Sequence, residues 1–562
     1  MSKFITKEFS IESGTGLLTS INGKDLSFRD HQKLTQGDVI YIYHGPKNIY
    51  IGQTKHFFQR HQQHTEESSG RYVDGSYTRV ITAFGSLITQ ASLDDIEKQL
   101  ITYVTADFEH SRNMTVNNET SGNESNNYSG QDDVLSEFID PFWELLADNG
   151  YVRTKKLSTI KNSLLFKYSP FSSLAKEKQD IIRKIISTPQ NYIISGLAGT
   201  GKTVVLTNLA AKLSQLESKP QVAVIVKSNW VKTAQSIFSA YNVDNVTVDT
   251  AYKLIKSEQK FDYILVDEAH RLRRYYSKGN FVTQDIFHKD ESSNELKLLE
   301  PLGKYFVLFY DPSQIIRPND IPQTSYQNFL EKYNFHHLQL TKEYRINGFS
   351  PNSKFTSDDF MTGILEFLQI KKDATPFNHE LFKAYLTDDD AYFGVVDSIQ
   401  DLFNYLDYSE NYDPATQNRV MAGYTRPWIS KKDKQSYDWT EDDHHWQWNS
   451  TNENWLKKRH SREEIGSIHA VQGIDLNYAG VIISNDIGLN SNGEVIGIPK
   501  NYKDRNGQYK KSDYDEASFS TLIKNIYYVL LTRGINGVRI YFEDKKMEQY
   551  FYDFMNINKV AQ

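Results

Sequence analysis

The 562-residue chain contains no cysteine. That excludes disulfide staples, thiolate zinc sites and cysteine nucleophiles, and leaves carboxylate, imidazole and water oxygen as the ligands any metal could use. Long apolar runs are missing too: no stretch approaches the roughly 18 residues of a membrane span. The first residues, MSKFITKEFSIESGTG, lack a charged segment followed by an apolar one, so the sequence reads as a cytoplasmic protein. Nor is there a basic excess, since 64 Lys and Arg stand against 71 Asp and Glu, for a net charge of −7. A uniformly basic coat for nucleic acid is thereby excluded, although phosphate contacts need only a local groove of Lys and Arg. What is plentiful is aromatic bulk, 36 Tyr and 31 Phe, enough for several packed interiors. At roughly 150 residues per domain the length implies three to four units.

Short β-rich runs organise the chain. VIYIYH (39–44) and NIYIGQT (48–54) are joined by Gly45 and Pro46, which predicts a hairpin, and YTRVITAF (77–84) predicts a third strand. SLDDIEKQLITYV, opening at Ser92, keeps helical apolar spacing and makes this segment a small α+β domain. Residues 111–133 are rich in Asn, Ser, Gly and acid, with little to bury, and read as a linker. Beyond them, NYIIS, VAVIVK, YILVDE, YFVLFYD, AGVIIS and GVRIYF alternate with helical stretches, the pattern of buried parallel strands with crossover helices.

The run IISGLAGTGKTVVLTNL puts Gly196, Gly199, Thr200, Gly201, Lys202 and Thr203 between a strand and a helix in phosphate-loop spacing. Glycines let backbone amides curl around phosphate, Lys202 brings a cation to the β and γ groups, and the Thr203 hydroxyl can ligate Mg²⁺. About 65 residues on, FDYILVDEAHRL ends a strand with Asp267, able to hold Mg²⁺, and Glu268, able to polarise the attacking water. A nucleoside triphosphatase using ATP and Mg²⁺ follows.

Further motifs resemble a superfamily 1 helicase and, more narrowly, the Schlafen group 3-like DNA/RNA helicase family, over about 165–545. LAKEKQDIIRKI supplies Gln179 where that family reads adenine. LFYDPSQII is similar to its sensor motif, with Asp311 and Gln314. LTKEYR supplies Arg345, and IHAVQGIDLNYAGVII supplies Gln472, Gly473 and, where relatives often have Glu for the ribose, Asp475. YYVLLTRGINGVRIYF supplies Arg533. Arg345 and Arg533 would neutralise charge on the phosphoryl oxygens as a second lobe closes. VKSNW and GYTRPW resemble strand-contact segments, with Trp230, Arg426 and Trp428 as contacts.

The hairpin, for its part, looks like a GIY-YIG endonuclease domain. Tyr50, Ile51 and Gly52 match the second triplet literally; Val39, Ile40 and Tyr41 match the first with its glycine replaced, and Tyr43 competes for the tyrosine role because it shares a face with Tyr41. Arg60 follows ten residues after Tyr50, His64 lies one helical turn further, Glu97 sits in the later helix, and Asn117 or Asn118 matches a late asparagine. The resemblance implies that Glu97 holds one divalent cation, Mg²⁺ or Mn²⁺, that Arg60 neutralises the phosphorane, and that a tyrosine orients or deprotonates water. The His pairs at 61/64 and 444/445 complete no zinc set and are expected to be solvated.

The expected fold is therefore multidomain α/β: a small α+β GIY-YIG nuclease domain followed by two RecA-like parallel motor lobes with insertions. The nuclease domain is assigned to 1–118 with its core at 37–118, a linker and helical connector to 119–164, and the first lobe to 165–345. An insertion follows at 346–415, then the second lobe at 416–562, interrupted at 429–462. The function expected is an ATP-driven helicase or translocase fused to a metal-dependent nuclease acting on DNA, in bacterial anti-phage defence. An RNA-directed enzyme and an ATPase sensor whose N-terminal domain binds without cutting stay open, as does a second copy or a phage-derived molecule as partner; no membrane is involved.

Overall fold

In the N-terminal region, VIYIYH is apolar or aromatic at five consecutive positions, and such a strand must be covered on both faces. Val39–His44 accordingly lies inside a six-stranded sheet with residues 39–43 buried. The computed structural model describes residues 3–21, 26–66, 70–108, 114–118, 131–161, 163–171, 174–197, 199–241, 243–276, 285–341, 356–371, 392–412, 417–452, 455–458, 460–471, 475–504, 509 and 515–555. It divides into two compact units, one of residues 1–176 with 236–244, the other of 177–235 with 245–562.

The sheet of the first unit runs Leu18–Ser20, Phe4–Ile11, Arg79–Gly85, Val39–His44, Asn48–Thr54, Thr115–Val116, antiparallel except for the last pair. The predicted hairpin is present, with Tyr43 opposite Tyr50 and Tyr41 opposite Gly52. Helix Gln90–Asp107 packs on its two strands, and helix Phe57–Glu66 buries Phe57 among the tyrosines of the other face. The strands at residues 4–20 extend the sheet beyond the expected core at 37–118. Of the expected linker and helical connector, residues 119–130 lie outside the described residues, while the segment from 131 is helical, as expected, and packed against the rest of the unit. Arg153 and Thr154 donate their backbone N–H groups to Asp107 at 2.6 and 3.1 Å, Tyr103 stacks on Phe166 at 4.9 Å, and Phe138 meets Phe4 edge-on at 5.1 Å. Aromatic side chains here find partners far away in sequence.

The second unit holds two wholly parallel sheets. One runs His336–Gln339, Tyr192–Ser195, Gly303–Tyr310, Phe261–Val266, Val222–Ile225, Val246–Asp249; the other runs Phe393–Val395, Gly534–Phe542, Leu476–Ile483, Asn418–Ala422, Ile465–Ser467. Each is a run of Val, Ile, Leu and aromatics that needs helices on both faces. Part of the stretch read as an insertion at 346–415 proves to be core. Phe393–Val395 pairs with Gly534–Phe542, and Leu402 and Leu406 of helix Ile399–Tyr412 are buried against the second sheet. A three-residue strand is too short to show a period, so only its pairing reveals it. The interruption at 429–462 forms a two-stranded hairpin, Trp439–Glu441 with His444–Trp446, whose Trp439 and Trp446 join the same core as Phe403. Among the described residues no helix is long and apolar enough to cross a membrane.

Candidate functional site

The strand Tyr192–Ser195 ends at Gly196, and the chain turns into helix Lys202–Ser214 through Gly199 and Gly201, at φ 84° and 83°. That left-handed backbone strains any residue with a Cβ, so glycine at both is a steric requirement. Gly196 is needed for closeness instead: a Cβ there would lie 2.6 Å from Thr200 Oγ1 and 3.2 Å from Leu340. Lys202 Nζ donates to the carbonyls of Gly196 and Leu197 at 2.7 and 2.9 Å and stands 3.8 Å from Asp311 Oδ2. Thr203 Oγ1 lies 3.1 and 3.3 Å from the carboxylate oxygens of Asp267. A hydroxyl and a carboxylate so paired suit Mg²⁺, which takes few protein ligands and keeps several waters.

Asp267 and Glu268 follow the strand Phe261–Val266. Burial and the Glu268 charge push the Asp267 carboxyl up to about 7. Burial opposes ionisation of Glu268 as well, but His270, Lys227 and Lys202 outweigh it and hold that carboxyl well below its usual range. One carboxylate of the pair thus stays charged. Glu268 also sits at φ 48°, a left-handed conformation that costs a non-glycine residue of order 1 kcal/mol or more and that clusters at working sites. His270 Nδ1 accepts the Asp311 backbone N–H at 3.2 Å, so its Nε2 carries the proton and faces Glu268 Oε2 at 2.8 Å.

The lobes built on the two parallel sheets meet at Gln314 and Ile315. Gln314 donates to Asp311 Oδ2 at 2.8 Å and accepts from Arg533 Nη2 at 3.2 Å. Arg533 follows helix Glu516–Leu531 and is 1% exposed, and Asn525 of that helix donates to the Ile315 carbonyl at 2.9 Å. A continuous polar path therefore joins Lys202 to Arg533.

Other expected residues fare variously. Gln179 lies half-buried on helix Lys176–Ser187, and Asp475 is half-buried just before strand Leu476–Ile483. Arg345, Gln472 and Gly473 lie outside the described residues. Arg426 is not a free cation: it pairs with Glu543 and lies 4.1 Å over the Trp439 ring. Trp230 and Trp428 are half-buried, and the Lys431 ammonium lies 4.9 Å over Trp428. Sequence reasoning missed Lys178, whose Nζ would be 2.5 Å from a Cβ on Gly201, along with Lys227 and His270. The lysines have no motif spacing of their own, although His270 stands in the quoted DEAH run.

In the N-terminal unit, Tyr41, Tyr50, Arg60, His64 and Glu97 come together. The Tyr41 and Tyr50 rings are 6.3 Å apart, the Tyr41 hydroxyl is 3.3 Å from His64 Nε2, and the Arg60 guanidinium interacts with both tyrosine hydroxyls. Burial and the Asp94 charge raise the Glu97 carboxyl to about 7, against hydrogen bonding from Gln53 at 3.3 Å. Gly52 is required by packing, since a Cβ there would be 2.5 Å from the Tyr41 hydroxyl. The expectation that His61 and His64 are solvated is corrected. Both are buried: His61 accepts from Tyr43 at 2.7 Å and donates to the Gly16 carbonyl at 2.8 Å, while His64 stacks on Tyr72 at 4.3 Å. His444 and His445 are exposed. The Tyr43 hydroxyl is thus committed to a buried histidine, whereas Tyr41 faces Arg60 and His64. Asn117 donates to Asn48 and Tyr77, and Asn118 brackets the backbone of Ile51, both serving the sheet edge.

Two parallel lobes, a phosphate-loop-like turn on one and a buried arginine of the other bonded to Gln314 fit the motor of a helicase-type ATPase. The DNA/RNA helicase domain of Schlafen group 3 matches residues 189–544, and the chain belongs to that family. An uncharacterised protein of Saccharomyces cerevisiae is 26% identical over 386 residues, 64% of this chain and 83% of that one. Among solved structures, the Pif1 helicase from Candida albicans is 12% identical, with 68% of this chain and 99% of that chain covered and a TM-score of 0.29. A Bacteroides Pif1 in complex with ADP-AlF4 is also 12% identical, covering 68% and 97%, at 0.28.

Proposed function

We propose that this helicase hydrolyses ATP between Lys202, Thr203, Asp267 and Glu268 and serves a GIY-YIG-type nuclease formed by Tyr41, Tyr50, Arg60, His64 and Glu97 that cuts DNA. In the motor, Gly196, Gly199, Thr200 and Gly201 shape the loop around the phosphates, Lys202 draws charge from the β and γ groups, and Gln179, Gly473 and Asp475 contact base and ribose. Glu268, kept ionised by His270, takes a proton from water as its oxygen bonds to the γ-phosphorus and the bond to the β,γ-bridging oxygen breaks. Arg533, through Gln314, and Arg345 bring positive charge from the second lobe. Bound Mg²⁺ at Thr203 and Asp267 would supply Lewis-acid charge to the phosphates.

The observation that supports the nuclease reading is the convergence of two tyrosines, an arginine and a histidine on one face of the sheet, with the Glu97 carboxyl close enough for its charge to act on both tyrosines. Arg60 stands by both tyrosine hydroxyls, suited to charge on a pentacoordinate phosphate, and His64 is placed to exchange a proton with Tyr41. Glu97 would hold Mg²⁺ or Mn²⁺, which polarises the scissile phosphate when bound. A nuclease driven by a DNA motor suits restriction of foreign DNA, as in anti-phage systems. The test is to incubate the purified protein with labelled duplex DNA, single strands and transfer RNA, with and without ATP. Duplex or single-stranded DNA should be cut by wild type and not by Glu97→Ala. Cleavage of RNA alone removes the DNA reading, and ATP turnover without any cleavage leaves the N-terminal unit a binding module of a sensor.

A further inference from the structure

We propose a second anion site beside the hydrolysis site, one that receives the inorganic phosphate released there; the proposal rests on the ATP-hydrolysing reading above. A cavity of about 460 Å³ is lined by Lys227, Glu268, Arg271, Arg317, Asn452 and His469. On its walls three buried donors, Lys227 Nζ, Arg271 Nε and Arg317 Nε, have no hydrogen-bond partner. Buried N–H groups are almost always satisfied, so three orphans around one cavity call for an acceptor with several oxygens.

The local acids are already engaged. Asp320 takes Arg271 at 2.5 Å and Glu295 takes Arg273 at 2.7 Å; Glu268 lies 2.8 Å from His270, and its charge also acts on Lys227 without a hydrogen bond to it. Asp267, which also lines the cavity, is turned to Thr203. The Arg317 guanidinium donates to a neutral partner, His469 Nδ1 at 2.7 Å, for burial holds that imidazole down at about 4. What remains are two cations, Lys227 and Arg317, with side-chain donors that no acid hydrogen-bonds. Burial depresses the Lys227 ammonium to about 7, as befits a cation whose counter-charge is incomplete.

Orthophosphate, with four oxygens, fits these unanswered donors in acceptor count. Its place follows from the wall the cavity shares with the hydrolysis site: Asp267 and Glu268 line it, so it begins where the γ-phosphate is severed. The diphosphate product stays in the phosphate loop and blocks return on that side. Lys227 Nζ is enclosed, which favours a small ion over a polymer backbone. Asn452 and His469 belong to the second lobe, so phosphate held there bridges the lobes, and its departure lets them part.

The experiment measures orthophosphate binding to the full chain with ADP present, by calorimetry, for wild type, Lys227→Met and Lys227→Arg, each checked for a cooperative melt. Nucleic-acid affinity and ATP turnover are recorded on the same samples. Loss of one charge-assisted contact should weaken phosphate binding at least about tenfold in Lys227→Met, and Lys227→Arg should restore most of it. Absent phosphate binding in wild type, or equal binding in Lys227→Met, overturns the site. A Lys227→Met protein that loses nucleic-acid affinity while phosphate affinity holds also overturns it and hands the cavity to the strand path. Failure of wild type to turn over ATP is a separate result that removes the hydrolysis reading.

Discussion

Arg533 of the second lobe donates from Nη2 to Gln314 Oε1 of the first at 3.2 Å, and Gln314 passes the link to Asp311, 3.8 Å from Lys202. A contact between the lobes thereby reaches the phosphate-loop lysine. Residues in one hydrogen-bonded network show coupling of about 0.5–3 kcal/mol in double-mutant cycles. We expect Gln314→Ala and Arg533→Ala each to lower nucleic-acid-stimulated ATP turnover, and the double variant to be little worse than Arg533→Ala. Additive losses in steady-state turnover would dissolve the relay.

Lys202→Ala should abolish ATP turnover by about a hundredfold or more, since the lysine acts where charge develops, while the melting temperature stays near wild type. A phosphate-release assay decides it. Turnover at the wild-type rate would refute the hydrolysis site outright.

His270 gives the motor a pH signature. Its protonated Nε2 helps hold Glu268 well below the usual carboxyl range. A base with a lowered value stays ionised as pH falls, so wild-type turnover should persist into mild acid. His270→Ala should move the acidic limb of the pH–rate profile upward, and an unmoved limb would separate Glu268 from His270.

Glu97 predicts the opposite behaviour. Its folded value of about 7 lies above the ordinary 4.5, so the fold favours the protonated carboxyl. That preference becomes a cost to stability as pH rises from 4.5 towards 7 and is complete above it. In metal-free buffer the melting temperature of wild type should fall over that window relative to Glu97→Gln. On the proposed nuclease reading cleavage uses the carboxylate and should rise through about 7, and a flat profile would count against Glu97 as metal holder.

Gly52→Ala tests the packing of the tyrosine face. The added methyl would stand 2.5 Å from the hydroxyl and ring carbon of Tyr41, a buried ring with no room to retreat. Overpacking of this kind costs about 1–3 kcal/mol. Denaturant unfolding should register it, and an unchanged midpoint would mean that the ring can shift.

What the amino-acid sequence determined alone was whatever depends on neighbours along the chain. A glycine-rich turn between strand and helix, a DE pair closing an apolar run and a Gly-Pro hairpin are local events, legible in IISGLAGTGKT, YILVDE and VIYIYHGPKNIYIG. Tertiary structure alone decided what depends on distance. It showed 393–412 to be part of the second lobe and 131–167 to be packed on the first unit. It buried His61 and His64 through Tyr43 and Tyr72, and it drew Lys227, Arg271 and Arg317 around one cavity with unanswered donors. A hydrogen bond or a buried charge has no period and no spacing, so its partner is visible only once the chain has folded back to meet it.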